Sequence, residues 1–162
     1  MKVRNVMTED VQYCRPETNL AAAAALMWEH DCGALPIVAD GGKAIGMITD
    51  RDIAIALGTS NQQAAEIPVQ EVMSGKLFAA SPDDDIHSAI KLMRKEKVHR
   101  LPVINEQGTL EGILSLNDVA LQAVQANGKT PELNYEDVVS TLKAVCEHRH
   151  PFAKKHYKAA RA

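Results

Sequence analysis

Aromatic residues are scarce, at 4% of the 162-residue chain. That is too few for a surface that stacks successive nucleic-acid bases. The three cysteines, Cys14, Cys32 and Cys146, are odd in number and contain no CxxC pair. They suit free thiols in a reducing compartment, not a disulfide framework. The longest apolar run, Leu20 to Trp28, is nine residues, where a bilayer span needs about twenty. Lys2 and Arg4 lead into Glu9 and Asp10 instead of an apolar stretch, so no secretory leader is expected and the cytoplasm is the default location. Catalytic signatures are missing too. The sequence has no GxSxG, no Walker A loop, no HExxH and no Cys–His pair within a recurring motif, so no enzyme activity is expected.

What is present suits a globular domain: 46% apolar and 24% charged residues. The net charge of −3 hides an asymmetry. Residues 1–120 carry 11 Lys and Arg against 17 Asp and Glu, a balance of −6. Residues 121–162 carry 7 against 4, a balance of +3, and from His148 onward there are five basic residues and no acidic ones. An acidic body with a basic tail follows.

The chain repeats itself at an offset of 66 residues. Val6-Met7-Thr8 falls on Val72-Met73-Ser74, Pro16 on Pro82, and Leu26-Met27 on Leu92-Met93. Leu35-Pro36-Ile37-Val38 falls on Leu101-Pro102-Val103-Ile104, Gly46 on Gly112, and Asp52-Ile53-Ala54 on Asp118-Val119-Ala120. The 52 positions from Val3 to Ala54 hold 13 identities without a gap, where average composition gives about three by chance. A unit of this size is marginal alone, so two units burying a shared face are expected.

Each copy predicts β–α–β–β–α. Val11 to Cys14 is a short extended segment ended by Pro16. Thr18 or Asn19 caps a helix from Leu20 to about His30, and Asp84 does the same before Ile86 to about Glu96. Gly33 breaks the first helix pattern. Ala34 to Val38 and Ala44 to Ile48 form a hairpin about Asp40-Gly41-Gly42-Lys43, matched by Leu101 to Ile104, Asn105-Glu106-Gln107-Gly108 and Leu110 to Leu114. A second helix starts after Thr49 and after Ser115. The division is residues 1–58 and 69–124 for the two units, 59–68 for the linker and 125–162 for a C-terminal helix and basic tail.

Two elements can carry chemistry. Thr49-Asp50-Arg51-Asp52 and Ser115-Leu116-Asn117-Asp118 have capping-box spacing, a hydroxyl at the N-cap and an acid three residues on. The same geometry suits a ligand, because a helix N-terminus attracts anions and a carboxylate accepts both hydroxyls of a ribose. His99 and Arg100 precede a strand, and Arg is a fork for phosphate. Taken alone, they also read as solvated loop residues.

The 66-residue repeat, the Gly-apolar-apolar-Thr/Ser-x-x-Asp element and the His-Arg-Leu-Pro-Val strand together resemble a tandem pair of cystathionine β-synthase (CBS) domains, a Bateman module. The resemblance covers residues 1 to about 122. It implies two α/β units packed by their sheets about a pseudo-two-fold axis, with two clefts for AMP, ADP, ATP, S-adenosylmethionine or NADH. It also implies pairing into a homodimer, regulation of an effector protein, and no catalysis or required cofactor. By position, Ser115 and Asp118 would hold ribose and phosphate in one cleft, and Thr49 and Asp52 in the other. Val11 to Cys14 and Leu77 to Ala80 would line the adenine, and His99 and Arg100 match the phosphate-contacting pair. In the first unit Cys32-Gly33 replaces that pair, so its cleft should hold phosphate less well. The alternative is a ligand-independent scaffold for dimerisation and docking.

Outside the repeat, Gly128 to Pro131 is a break and Tyr135 to Cys146 a helix. Val138, Leu142 and Val145 should line its buried face, joined by Val139 and Cys146. It should pack on its own module or a dimer partner, or dock an effector. Leu26-Met27 and Leu92-Met93 should sit on exposed helices as dimer surfaces. Cys146-Glu147-His148-Arg149-His150 does not converge on a metal, and none is expected. His30 and His87 should be surface residues of helices, Phe152 to Ala162 a flexible tail, and a nucleic-acid partner is not expected.

Overall fold

The structure is a computed structural model that describes residues 1–73, 75–125 and 132–147. Gly128 to Pro131 and everything from His148 onward lie outside the described residues. The chain forms two compact units. Among the described residues, one is Gln12–Leu77, and the other joins Met1–Val11 to residues 78–147.

In the unit Gln12–Leu77, α1 (Leu20–Glu29) and α2 (Asp50–Thr59) flank a hairpin of β1 (Ala34–Val38) and β2 (Ala44–Thr49), and a short α3 (Val69–Val72) follows. Asn19 caps α1 by accepting from the Ala22 N–H at 2.9 Å. The buried face of α1 is Leu20, Ala23 and Met27, spaced three and four apart. These pack with Leu35, Ile37, Ile48, Ile53 and Val69 in one core. Met27 thus faces its own unit and is unavailable as a dimer surface, contrary to the sequence expectation; the same holds for Met93 in the second unit.

The second unit repeats the plan with α4 (Ile86–Glu96), the hairpin β3 (Arg100–Ile104) and β4 (Leu110–Ser115), and α5 (Leu116–Gln122). Asp85, not Asp84, caps α4, accepting from the His87 N–H at 2.9 Å. Asp84 instead accepts from the Ser81 N–H in the preceding turn at 2.8 Å. Ile86, Ala89, Ile90 and Met93 fill a core with Leu101, Val103, Leu114 and Val119.

The predicted first strand of each copy shrinks to one residue. Cys14 makes a parallel bridge to Ile37, and Ala80 to Val103. The Cys14 N–H donates to the Pro36 carbonyl at 3.0 Å, and the Val38 N–H to the Cys14 carbonyl at 2.9 Å. Extending that ladder one step back needs an N–H on Pro36, and one step forward an N–H on Pro16. Neither exists. Pro102 and Pro82 impose the same limits on the second copy.

Helix termination also departs from expectation. Asp31 and Lys97, 66 residues apart, take left-handed conformations (φ 49° and 53°). They turn the chain after α1 and α4, a role the sequence assigned to Gly33.

The copies exchange their leading segments. Leu20 N–H donates to the Ile67 carbonyl and Val69 N–H to the Thr18 carbonyl, at 2.9 and 2.8 Å. In the second unit Ile86 N–H donates to the Met1 carbonyl and Val3 N–H to the Asp84 carbonyl, both at 2.9 Å. Each helix start is therefore completed by the segment that precedes the other repeat. The Met7 sulfur crowds Gly112 and the Met73 sulfur crowds Gly46; a Cβ on either glycine would lie 2.8 Å from it.

The C-terminal helix α6 (Tyr135–Cys146) has the predicted bounds and packs on α4 and α5 of the second unit. Its buried residues are Thr141 and Val145, with Val138 against the same core. Val139, Leu142 and Cys146 are exposed, which corrects the predicted face. Thr141 tolerates full burial because its hydroxyl donates to the Asp137 carbonyl at 2.6 Å. Polar contacts fasten the helix and its approach: His87 Nε2 to the Glu132 carbonyl at 2.8 Å and Lys97 Nζ to Glu147 at 2.9 Å.

Candidate functional site

In the second unit four of the sequence-derived residues converge at one end of the hairpin. Arg100 opens β3 directly opposite Ser115, which closes β4. The Leu116 N–H donates to the His99 carbonyl at 2.9 Å, which ties the residue before β3 to the start of α5. Ser115 and Asp118 form the expected capping box. The Asp118 N–H donates to Ser115 Oγ at 3.2 Å, and Asp118 Oδ2 accepts from the Ser115 N–H at 2.7 Å and from its hydroxyl at 2.6 Å. The capping reading of this pair is therefore correct, and it leaves both side chains half-buried and reachable.

One residue was missed by the sequence reading. Thr8 donates its hydroxyl to the other carboxylate oxygen, Asp118 Oδ1, at 3.3 Å. It is placed there by a two-way backbone bridge to Ile113, both bonds 2.9 Å. The hydroxyl at Ser74, its repeat counterpart, was the available signal.

His99 is exposed and Arg100 half-buried. Among the described residues neither side chain has a hydrogen bond or ion pair. Arg100 thus stands across the hairpin from Ser115 with a guanidinium that has no ion pair among the described residues. By contrast, Arg4 and Lys2 of the same unit are spent on Asp83, at 2.5 and 2.6 Å. The Lys2 hydrogen bond and both nearby cations hold the Asp83 carboxyl below its usual range.

The other unit has the same frame with different chemistry. Thr49 and Asp52 form the box, with the hydroxyl donating to Asp52 Oδ2 at 2.7 Å. Ala34 pairs with Thr49 as Arg100 does with Ser115, and the Asp50 N–H donates to the Gly33 carbonyl at 3.1 Å. The positions of His99 and Arg100 are therefore taken by Gly33 and Ala34, not by Cys32 and Gly33 as the sequence reading had it. Cys32 and Gly33 instead help line an open depression of about 480 Å³ with Trp28, Asp31, Asp50 and Ile53. A second depression, of about 520 Å³, is lined by Arg4, Met7, Glu9 and Glu111 in the other unit. Neither contains His99, Arg100, Ser115 or Asp118.

The segments expected to line adenine divide. Val11 and Leu77 are half-buried and can offer apolar surface. Cys14 and Ala80 are buried within the two cores, with the N–H and carbonyl of each engaged in its bridge, so their side chains face inward. Burial pushes the Cys14 thiol up to about 11. Among the described residues, no group of three or more His, Cys, Asp or Glu is placed to hold a metal ion. No helix among them is long and apolar enough to cross a membrane.

Comparison with known proteins shows the family. A CBS domain protein from Bacillus subtilis, YhcV, is 38% identical over 119 residues, covering 74% of this chain and 83% of that protein. A CBS domain protein of Thermoplasma acidophilum, TA0289, has the same fold, with a TM-score of 0.74 at 20% identity over 89% of this chain and 75% of that one. The CBS domain pair of protein MJ0100, crystallised with 5′-methylthioadenosine and S-adenosyl-L-methionine, superposes with a TM-score of 0.66 at 27% identity, covering 75% of this chain and 94% of that chain. The CBS domain family model matches twice, over residues 3–59 and 69–123. The chain belongs to the CBS domain family, as a tandem pair followed by one further helix.

Proposed function

We propose that this CBS pair is a regulatory sensor of adenosine-type ligands that modulates a partner protein and catalyses no reaction. The observation that carries the reading is the unit of His99, Arg100, Ser115 and Asp118. Asp118 Oδ2 is filled by the Ser115 N–H and hydroxyl, while Oδ1 accepts, among the described residues, only the 3.3 Å bond from Thr8. A ribose hydroxyl is therefore accepted at Oδ1, and a second one by displacing Thr8. The Arg100 guanidinium across the hairpin, without an ion pair among the described residues, suits a phosphate. Adenosine compounds bound to the MJ0100 pair support the ligand class. In the other unit Thr49 and Asp52 offer the same ribose chemistry, while Gly33 and Ala34 offer no cation, so phosphorylated ligands favour the Arg100 side.

Thermal shift against AMP, ADP, ATP, S-adenosylmethionine, NADH and adenosine tests this. A ligand at one hundred times its dissociation constant adds about 2.7 kcal/mol, worth roughly 5–10 °C for a chain of this size. A melting point unmoved by every compound assigns the pair to the scaffold role instead.

A further inference from the structure

The outward face of α6 has a regular pattern. Tyr135, Val139 and Leu142 are 55%, 53% and 45% exposed, and Cys146 is exposed as well. Their spacing is four, three, four, the a/d seam of a coiled coil. The other side of the helix, Val138, Thr141 and Val145, is already seated on the second unit's core. Val124, 51% exposed, pairs with Asn134 at the head of the helix and adds apolar surface there. A seam of four apolar residues left open beside a packed face is unusual for a helix that serves one chain alone.

The seam is self-complementary. Turn a second copy of α6 antiparallel about a two-fold axis, with Val139 opposite the partner's Leu142. Tyr135 then falls opposite the partner's Cys146, so large meets small at both ends. The flank of the seam holds Glu136 and Lys143, seven residues apart, and neither has an ion pair among the described residues. In the antiparallel register Glu136 meets the partner's Lys143 and Lys143 meets the partner's Glu136. A parallel register sets both charges against Val138 and Val145, which their own core occupies. Charge and spacing therefore select a second copy of this chain, in one orientation. We infer that α6 is a homotypic docking helix, pairing antiparallel along Tyr135, Val139, Leu142 and Cys146, with reciprocal Glu136–Lys143 pairs. This is independent of ligand binding.

The seam is short, so the dimer is weak. Sedimentation of the full chain from about 10 µM to 1 mM should show monomer–dimer exchange. Val139→Glu should abolish it. Lys143→Glu turns two attractive pairs repulsive and should weaken it about tenfold. The double variant Glu136→Lys with Lys143→Glu should restore it. All three positions are solvent-facing, and far-UV circular dichroism verifies the fold of each variant. A monomer at every concentration overturns the inference. So does a dimer untouched by Val139→Glu and Lys143→Glu, which would place the interface on another face. A dimer that forms only after residues 148–162 are removed also overturns it, by assigning the seam to the chain's own tail.

Discussion

Thr8 and Asp118, 110 residues apart, are joined by a hydroxyl-to-carboxylate bond of 3.3 Å. The bond ties the leading segment of the first repeat to the cap of the second repeat's last helix. Asp118→Asn keeps an oxygen for the Ser115 N–H and turns an amide donor toward Thr8, whose hydroxyl can accept. The expected loss of stability is a few tenths to about 1 kcal/mol, against about 1–2 kcal/mol for Asp118→Ala. A ribose diol facing that amide loses an acceptor, so nucleotide binding should fall by about 1.5–3 kcal/mol, roughly tenfold to hundredfold. Denaturation and titration of the same variant separate the two roles. Parent-like binding with a markedly lower melting point would reduce Asp118 to a cap.

The two crowded glycines give unequal predictions. At Gly112 a new Cβ meets both the Met7 sulfur and the Thr8 carbonyl oxygen, each at 2.8 Å. Backbone must move, so Gly112→Ala should cost about 2–3 kcal/mol. At Gly46 the neighbour is the Met73 side chain alone, with its sulfur at 2.8 Å. That side chain can turn away, and Gly46→Ala should cost about 1 kcal/mol or less. Chemical denaturation of the pair reads the difference, and equal losses would contradict the exchanged-segment packing.

Thiol chemistry reports on the first unit's core. Cys146 is exposed, Cys32 is half-buried and Cys14 is buried with its thiol pushed up to about 11. A thiol reagent at pH 8 should modify Cys146 first, then Cys32, and Cys14 only on unfolding. The unfolded chain releases the Cys14 proton near 9.0 and the folded chain near 11. Stability from this group is thus complete below pH 9 and lost as pH rises toward 11. Cys14→Ser should flatten the fall in denaturation midpoint over that window.

Much of this was legible in the sequence because the repeat doubles every signal. The hairpins, both capping boxes and the bounds of α6 follow from turn residues, hydroxyl–acid spacing and apolar period. The exchange of leading segments was not legible. Met7 and Met73 stand in equivalent contexts, and nothing local says which glycine each will cover. The outward face of α6 was misread because hydropathy ranks Leu142 above Thr141, yet Thr141 satisfies its hydroxyl within the helix and is buried. The turns at Asp31 and Lys97 escaped because glycine is the usual left-handed residue and neither is one. At the site, residue types, spacing and the family resemblance pointed to Ser115, Asp118, His99 and Arg100, while Thr8 was signalled only by its repeat counterpart Ser74.

The most direct test of the sensor role is calorimetric titration of the parent and of Arg100→Ala with AMP and with adenosine. The parent should bind AMP more tightly than adenosine. Arg100→Ala should lose about 1.5–3 kcal/mol for AMP, roughly tenfold to hundredfold, because a charge-assisted fork is removed. Its affinity for adenosine should stay at the parent value. A parent that binds neither compound, or an Arg100→Ala variant that binds AMP as the parent does, would contradict the sensor role of the site.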